Sequence, residues 1–285
     1  MSSAVFHKLS GSGNDFVMLD GRTTRLEDWP RERIAAICDR RHGVGGDGLV
    51  IIDPAGPDAV RMTYFNSDGS EAPMCGNAAL CSTRLAVTLE MADPAGMTLV
   101  TGAGSFRTRC VGEGEFAELN LPDTDIPVLV DIPLEAGEHS ISLATVGVPH
   151  VACLVEDVAT VNLPIRGRVI RFHDKLPPGG ANANFVSRIA REATSGSTGT
   201  GGPEAPEWTV RTYERGIEGE TLACGTGTVA SALALAVAGL AELPLRFLTA
   251  SGRVLSVSAT IERTRATNIW LAGEGRRVAM GVWLG

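Results

Sequence analysis

What this chain has little of narrows it first. Of its 285 residues only Lys8 and Lys175 are lysines, which leaves few candidates for the Schiff-base lysine of a pyridoxal enzyme. Proton chemistry on an amino acid would have to run without that cofactor. No basic cluster interrupts the sequence and the formal net charge is −8, so there is no positive field for a phosphate backbone and nucleic acid is disfavoured as a partner. Met1 to Asp15 lacks the basic stretch and apolar core of a secretory signal, and the expected location is the cytoplasm. The most continuous apolar segment, Val229 to Ala241, is too short to span a bilayer and reads as a buried helix. The six cysteines form no Cys-x-x-Cys pair, which argues against a disulfide framework and against a cysteine-rich zinc site.

Two of those cysteines stand at the mouths of similar helices, Cys75 in Met74-Cys75-Gly76-Asn77-Ala78 and Cys224 in Ala223-Cys224-Gly225-Thr226-Gly227. Each opens a run that turns helical at once, where backbone N–H groups and the positive end of the helix dipole favour a thiolate. Two like-built acid/base groups, one in each half of the chain, are what proton exchange at a stereocentre needs. Free cysteine also behaves as a small hydrophobe, and that plainer reading suits Cys38, Cys81, Cys110 and Cys153, each in an apolar or helical run. It suits the helix-mouth pair badly, because burial alone does not call for a glycine after both.

The length allows two modest domains or one large one. Strand-like runs, Val5–Leu9 and Phe16–Asp20, flank a glycine-rich turn; helical spacing follows around Ile34–Arg41, then strands at Leu49–Asp53 and Arg61–Asn66, and a helix over Asn77–Met91. A second cycle begins near Leu119, with strand character at Thr145–Leu154, Ala183–Ile189 and Trp208–Glu214, and a helix striped by Val229, Leu233, Val237 and Leu240. Thr194 to Pro206 is Gly/Ser/Thr/Pro-rich and reads as a hairpin tip or loop insertion. Turn, strands, cysteine and helix recur in the same order, which predicts two related α+β domains.

Further candidates surround the thiols. The amides of Gly76, Asn77, Gly225 and Thr226 can hold an anion, most simply a substrate carboxylate; Asn77 and Thr226 also suit plain capping. Asn14, Asn66 and Asn182 lie in or beside turns, where asparagine commonly serves the backbone alone. Glu214 and Arg215, at a strand end, can pair with an ammonium and a carboxylate or form a solvated surface pair. His150 can tune a thiol or finish a turn. Cys38-x-x-x-His42 has no complementary ligand cluster, so no metal is expected. Gly43–Gly48 lacks the ending of a phosphate loop and reads as a tight turn.

Taken together, Lys8-Leu9-Ser10-Gly11-Ser12-Gly13-Asn14-Asp15-Phe16, Arg41-His42-Gly43-Val44-Gly45-Gly46-Asp47-Gly48, Asn66-Ser67-Asp68-Gly69-Ser70-Glu71, Cys75-Gly76-Asn77, Pro149-His150, Asn182-Ala183-Asn184-Phe185 and Tyr213-Glu214-Arg215-Gly216 through Cys224-Gly225-Thr226-Gly227 resemble the diaminopimelate epimerase family of pyridoxal-independent amino-acid epimerases. The resemblance implies two pseudo-symmetric domains, 1–118 and 119–272, each a barrel-like sheet around a central helix. Segment 273–285 is expected to return to the first domain and the active site to lie in the cleft between the two. It implies Cys75 and Cys224 as acid/base thiols, and Asn14, Asn66, Gly76, Asn77, Asn182, Glu214, Arg215, Gly225 and Thr226 as substrate-binding residues. His150 and Glu214 would adjust thiol ionisation. No cofactor or metal is implied, and a homodimer is. Many members carry Asn where Val148 stands, Gly-Ala-Arg where Ala78-Ala79-Leu80 stand, and some carry Gln at Gly48.

The expected function is therefore isomerisation of LL- to meso-diaminopimelate in lysine and peptidoglycan-precursor biosynthesis. The competing readings are a two-cysteine racemase of the same fold acting on histidine or hydroxyproline, a thiol redox or sensor protein, and a fold relative that only binds a small molecule.

Overall fold

The computed structural model describes residues 3–112, 114–189 and 205–285. The Thr194–Pro206 stretch lies, through residue 204, outside the described residues. The chain divides into two compact units, one of Met1–Asn120 with Ala272–Gly285 and one of Leu121–Leu271.

The first unit opens on an antiparallel pair, β1 (Ala4–Gly11) and β2 (Asn14–Asp20). Helix α1 (Arg31–Cys38) crosses to β3 (Gly48–Gly56), which runs parallel to β2 with Gly48 beside Phe16. β4 (Ala59–Asn66) returns antiparallel, placing Asn66 opposite Gly48 and Tyr64 opposite Val50, and β5 (Glu71–Ala72) folds back on it. Helix α2 (Gly76–Thr88) then leads to β6 (Met97–Thr101), parallel to β4, and the antiparallel strands β7 (Gly104–Val111) and β8 (Phe116–Leu121) follow.

After two-residue strands β9 (Thr124–Asp125) and β10 (Val128–Leu129), the second unit repeats this order. β11 (Glu138–Val146) and β12 (Val148–Val155) are antiparallel, and α3 (Leu163–Arg171) crosses to β13 (Asn182–Arg188), parallel to β12 with Asn182 beside His150. β14 (Trp208–Glu214) returns antiparallel with Thr212 opposite Asn184; β15 (Gly219–Thr221) folds back, and α4 (Gly225–Val237) leads to β16 (Leu245–Thr249), parallel to β14. β17 (Val254–Glu262), β18 (Arg265–Glu274) and β19 (Arg276–Trp283) close the chain, β19 pairing with β1. Every pairing of β1 to β7 thus has a counterpart in β11 to β17, and the structure is a mixed, sheet-dominated α/β fold built from two repeats.

The first sheet is covered on both faces, which is why β2 and β3 carry the continuous apolar runs Phe16–Leu19 and Leu49–Ile52 and not an alternation. In the first unit Val17, Leu19, Leu49, Ile51 and Phe65 pack with Ile34 and Ile37 of α1. The intervening residues Phe16, Met18, Val50 and Tyr64 point to the opposite face, where α2 lies. In the second unit Val151, Cys153, Ala183, Phe185 and Tyr213 pack with Leu163 and Ile170 of α3, and the intervening His150, Asn184 and Thr212 face α4. Full burial of a side chain such as Phe16 or Leu80 contributes roughly 1.5–3 kcal/mol.

The helices end alike. At the end of α2, Met91 N–H reaches Ala86 C=O and Glu90 N–H reaches Val87 C=O; at the end of α4, Leu240 reaches Leu235 and Gly239 reaches Ala236. This left-handed wrap needs a positive φ, which Glu90 adopts at 56° and Gly239 at 66°. The helical reading of Asn77–Met91 therefore overran by one cap. Helix α1 stops at Cys38 and not at Arg41, because the chain folds back and Val44 and Gly45 N–H bond Ile37 C=O. Gly43 is needed there, since a Cβ would sit 2.2 Å from Ala36 O.

Candidate active site

Cys75 and Cys224 each precede the first helical residue, of α2 and α4 respectively, in extended backbone with φ −142°, ψ 121° and φ −127°, ψ 106°. Neither side chain caps its helix. Their carbonyls accept the first helical bonds, from Ala79 and Thr228, both 2.9 Å. The amides of Gly76, Asn77, Gly225 and Thr226 have no earlier carbonyl in their own helices to bind, and the dipole's positive end adds to them. Cys75 is partly exposed and Cys224 only 8% exposed.

The other four cysteines have a different character. Burial pushes the Cys38 thiol up to about 11, raises Cys110, and holds Cys153 and Cys81 well above the ordinary thiol range, with Cys75 and Glu274 adding to the effect at Cys81. They are protonated near neutral pH and poor nucleophiles.

In the first unit the structure joins two of the candidate asparagines. Asn14 Nδ2 donates to Asp47 Oδ2 at 2.9 Å, and since a carboxylate only accepts, Asn14 Oδ1 is left to receive Asn77 Nδ2 at 2.7 Å. Asp47 in turn is held by Arg40, which also grips Asp15, and Lys8 pairs with Asp15. Asn77 is 4% exposed and its Oδ1 has no partner among the described residues. Asn66 stands apart from this chain of amides: its Nδ2 donates to Ser70 Oγ at 3.0 Å and its Oδ1 accepts from Tyr64 at 3.2 Å, closing the Ser67–Ser70 turn. Gly48 admits no side chain, a Cβ falling 2.4 Å from Phe65 O.

In the second unit Asn182 Oδ1 accepts the Arg215 N–H at 2.7 Å and its Nδ2 reaches Pro149 O at 3.5 Å, which ties the Glu214-Arg215 strand end to the start of β12. Burial raises the Glu214 carboxyl above its ordinary value, opposed by the Thr221 hydroxyl. Burial, with the Arg215 charge, pushes the fully buried His150 down to about 3, so it is a neutral imidazole. Thr226 Oγ1 lies 3.8 Å from Cys224 Sγ. A Cβ on Gly225 would meet Leu271 Cδ2 at 2.7 Å, so a side chain there would force that leucine to shift.

One residue was quoted in the sequence motifs but not singled out. Asn184 is completely buried; its Nδ2 donates to Val151 O at 2.9 Å and lies 3.4 Å from His150 Nδ1, and its Oδ1 accepts from Thr212 Oγ1 at 2.8 Å. A Cβ on Gly227 would sit 2.1 Å from Asn184 Oδ1 and 3.2 Å from Cys224 Sγ. The period-2 spacing of Asn182 and Asn184 on one strand was the available signal.

Proteins of known structure share this architecture. A PhzF-family phenazine biosynthesis protein from Bacillus anthracis matches with a TM-score of 0.71 and 15% identity, covering 99% of each chain. A probable proline racemase from Agrobacterium radiobacter matches with a TM-score of 0.63 and 16% identity, covering 98% of this chain and 92% of the other. The chain thus shares the fold of these PhzF-family and proline racemase structures. The diaminopimelate epimerase family model matches residues 6–121 and 142–269. The chain is 41% identical to the diaminopimelate epimerase of Gemmatimonas aurantiaca over 97% of its own length and 98% of the relative's, and 37% identical to that of Aquifex aeolicus over 88% of each. The chain belongs to the diaminopimelate epimerase family, and it is an isomerase. No helix among the described residues is long and apolar enough to cross a membrane.

Proposed function

We propose that the protein interconverts LL- and meso-diaminopimelate, with Cys75 and Cys224 as base and acid on opposite faces of the α carbon. One thiolate removes the α proton, the electron pair stays on the carbon and delocalises into the adjacent carboxylate, and the second thiol delivers a proton to the other face. In the reverse direction the roles exchange. The observation that carries this is the paired station of the two thiols: each ends a turn after the same strands, immediately before the first residue of the matching helix, in each of two repeats.

The amides of Gly76-Asn77 and Gly225-Thr226 hold the reacting carboxylate and stabilise the charge that develops on it. Asn14, Asn66 and Asn182 bind the substrate together with Glu214 and Arg215, whose guanidinium suits a distal carboxylate. His150 and Glu214 adjust thiol ionisation. No metal or organic cofactor takes part, each domain of the repeat supplies one thiol, and the enzyme works as a cytoplasmic homodimer in lysine and peptidoglycan-precursor biosynthesis.

The test is α-proton exchange followed by proton NMR in heavy water with diaminopimelate, histidine and hydroxyproline in turn, after dialysis against chelator. Exchange with diaminopimelate that Cys75→Ala and Cys224→Ala each abolish is the expected result. Exchange with histidine or hydroxyproline and none with diaminopimelate would transfer the assignment to another substrate.

A further inference from the structure

We propose that Asn184 is a positioning residue that holds His150 as the neutral Nε2–H tautomer, so that His150 serves the reaction as a hydrogen-bond donor and never as a proton acceptor. This deepens the proposed epimerase reading and rests on it for the word reaction; the tautomer itself does not.

The geometry fixes the protons in sequence. Val151 O is a backbone carbonyl and can only accept, so the Asn184 atom 2.9 Å from it is the amide nitrogen. The other end is then the amide oxygen, and the Thr212 hydroxyl 2.8 Å away donates to it. With one amide hydrogen on Val151, the second points at His150 Nδ1, 3.4 Å distant, which must therefore present a lone pair. In a neutral imidazole the proton is then on Nε2, and Nε2 is buried with no partner among the described residues. Complete burial and the Arg215 charge both disfavour imidazolium, and a ring that stays neutral cannot act as the base that ionises a thiol near neutral pH. What it can do is donate Nε2–H to an anion formed in the site.

Three features show that the arrangement is built and not incidental. His150, Asn184 and Thr212 are all buried on the face of the sheet toward α4. Asn184 occupies the space that a side chain at position 227 would take, since a Cβ there falls 2.1 Å from its Oδ1. The matching stations of the first unit, Phe16, Val50 and Tyr64, cannot make the network, so the fold alone does not impose it.

The experiment is 15N NMR of protein labelled at histidine, with His150 assigned by its loss in His150→Gln, run on wild type and on Asn184→Asp. Wild type is expected to carry one imidazole proton, on Nε2, with no titration between about pH 5 and pH 8. In Asn184→Asp a carboxylate faces Nδ1 and draws the proton to it; kcat for diaminopimelate is expected to fall roughly 100-fold while KM changes little, because a group in the wrong tautomer is lost to the transition state. Should that variant fail to fold, Thr212→Val, which releases the amide, is expected to show a mixture of tautomers. A wild-type spectrum with the proton on Nδ1, or on both nitrogens near neutral pH, overturns the proposal, as does wild-type kcat in a folded Asn184→Asp with its proton moved. Absence of activity toward diaminopimelate in wild type would instead overturn the substrate reading and leave the spectrum to decide the tautomer.

Discussion

Under α2 the first sheet presents Phe16, Gly48, Val50, Tyr64 and Asn66; at the corresponding stations under α4 the second presents His150, Asn182, Asn184, Thr212 and Glu214. The backbones run in the same order with the same pairings, and the helices begin and end alike. One bed is largely apolar, with Phe16 and Tyr64 edge to face at a centroid distance of 6.0 Å, and the other is a polar network. The lesson is that duplication fixes where the two thiols stand, while what surrounds each has diverged. Under α4 the network links His150, Asn184 and Thr212, whereas in the first unit the hydrogen bonding near the thiol runs through Asn14, Asn77 and their ionic anchor, with Asn66 bonded apart to Tyr64 and Ser70.

Breaking this comparison should have its largest effect on stability at the deepest ion pair. Arg166 grips Glu138 bidentately at 2.7 Å, with both side chains nearly buried, whereas the Arg40–Asp15 pair of the first unit is partly exposed. Glu138→Gln leaves Arg166 short of a counter-charge and is expected to cost about 3–5 kcal/mol of unfolding free energy, against about 1 kcal/mol or less for Arg40→Ala. Burial pushes the Glu138 carboxyl up, but the Arg166 hydrogen bonds outweigh it and hold the carboxyl below its ordinary range. The contribution is therefore complete above the unfolded-state value of about 4.3 and fades as pH falls through the lower folded value. Thermal melts should show the gap between wild type and Glu138→Gln narrowing in acid; a gap that widened there would contradict the assignment.

Next in size is substrate choice. One station beyond Asn66 the first unit has Ser67, and one beyond Glu214 the second has Arg215. Arg215→Ala is expected to weaken diaminopimelate binding by about 2–5 kcal/mol, seen as a raised KM with kcat less affected. Ser67→Ala should stay within about 0.5 kcal/mol. Equal effects would mean that the distal carboxylate is not read from the second unit alone.

The third residue of each helix sharpens the contrast further. Gly227→Ala gains about 1 kcal/mol in helix propensity, but its Cβ would fall 2.1 Å from Asn184 Oδ1 and the overpacking costs about 1–3 kcal/mol. The expected net result is a less stable protein with reduced kcat. Ala78→Gly, at the matching place, should lose about 1 kcal/mol and keep its activity. Smallest is the helix cap: Glu90→Gly relieves a left-handed residue where Gly239 already sits, and should raise stability by up to about 1 kcal/mol in a urea titration. Destabilisation would show that the Glu90 side chain contributes more than its backbone strain costs.

Much of this was legible in the sequence, and the parts that were not have physical reasons. The helices after Cys75 and Cys224 could be read from turn chemistry followed by apolar spacing, both local signals. Helix α3 could not: Gly167 lowers its propensity, and the glycine is there for a tertiary reason, since a Cβ would meet the Tyr213 side chain, Cβ at 2.6 Å and the ring at 2.8–2.9 Å. Strand β19 left no apolar–polar alternation to read, because none of its residues is fully buried. Among the site candidates, the contact of Asn77 with Asn14 joins residues 63 positions apart and is set by the return of α2 against β1. The partnership of Asn184 with His150 needs the parallel pairing of β12 and β13, which no local pattern announces. Glycines told a mixed story: the residue after Cys224 suggests close approach of a ligand to the backbone, and the structure adds a packing demand from Leu271.

The claim at the centre is that two thiols, placed alike by a repeated fold, serve one carbon from two sides. It is tested most directly by running LL-diaminopimelate in heavy water with wild-type enzyme and stopping early, then measuring deuterium at the α carbon of product and of recovered substrate. Two bases predict deuterium in the first-formed meso product and almost none in recovered substrate, because the proton taken by one thiol is returned by that same thiol. Deuterium entering recovered substrate as fast as product would mean that a single group serves both faces, and would contradict the account.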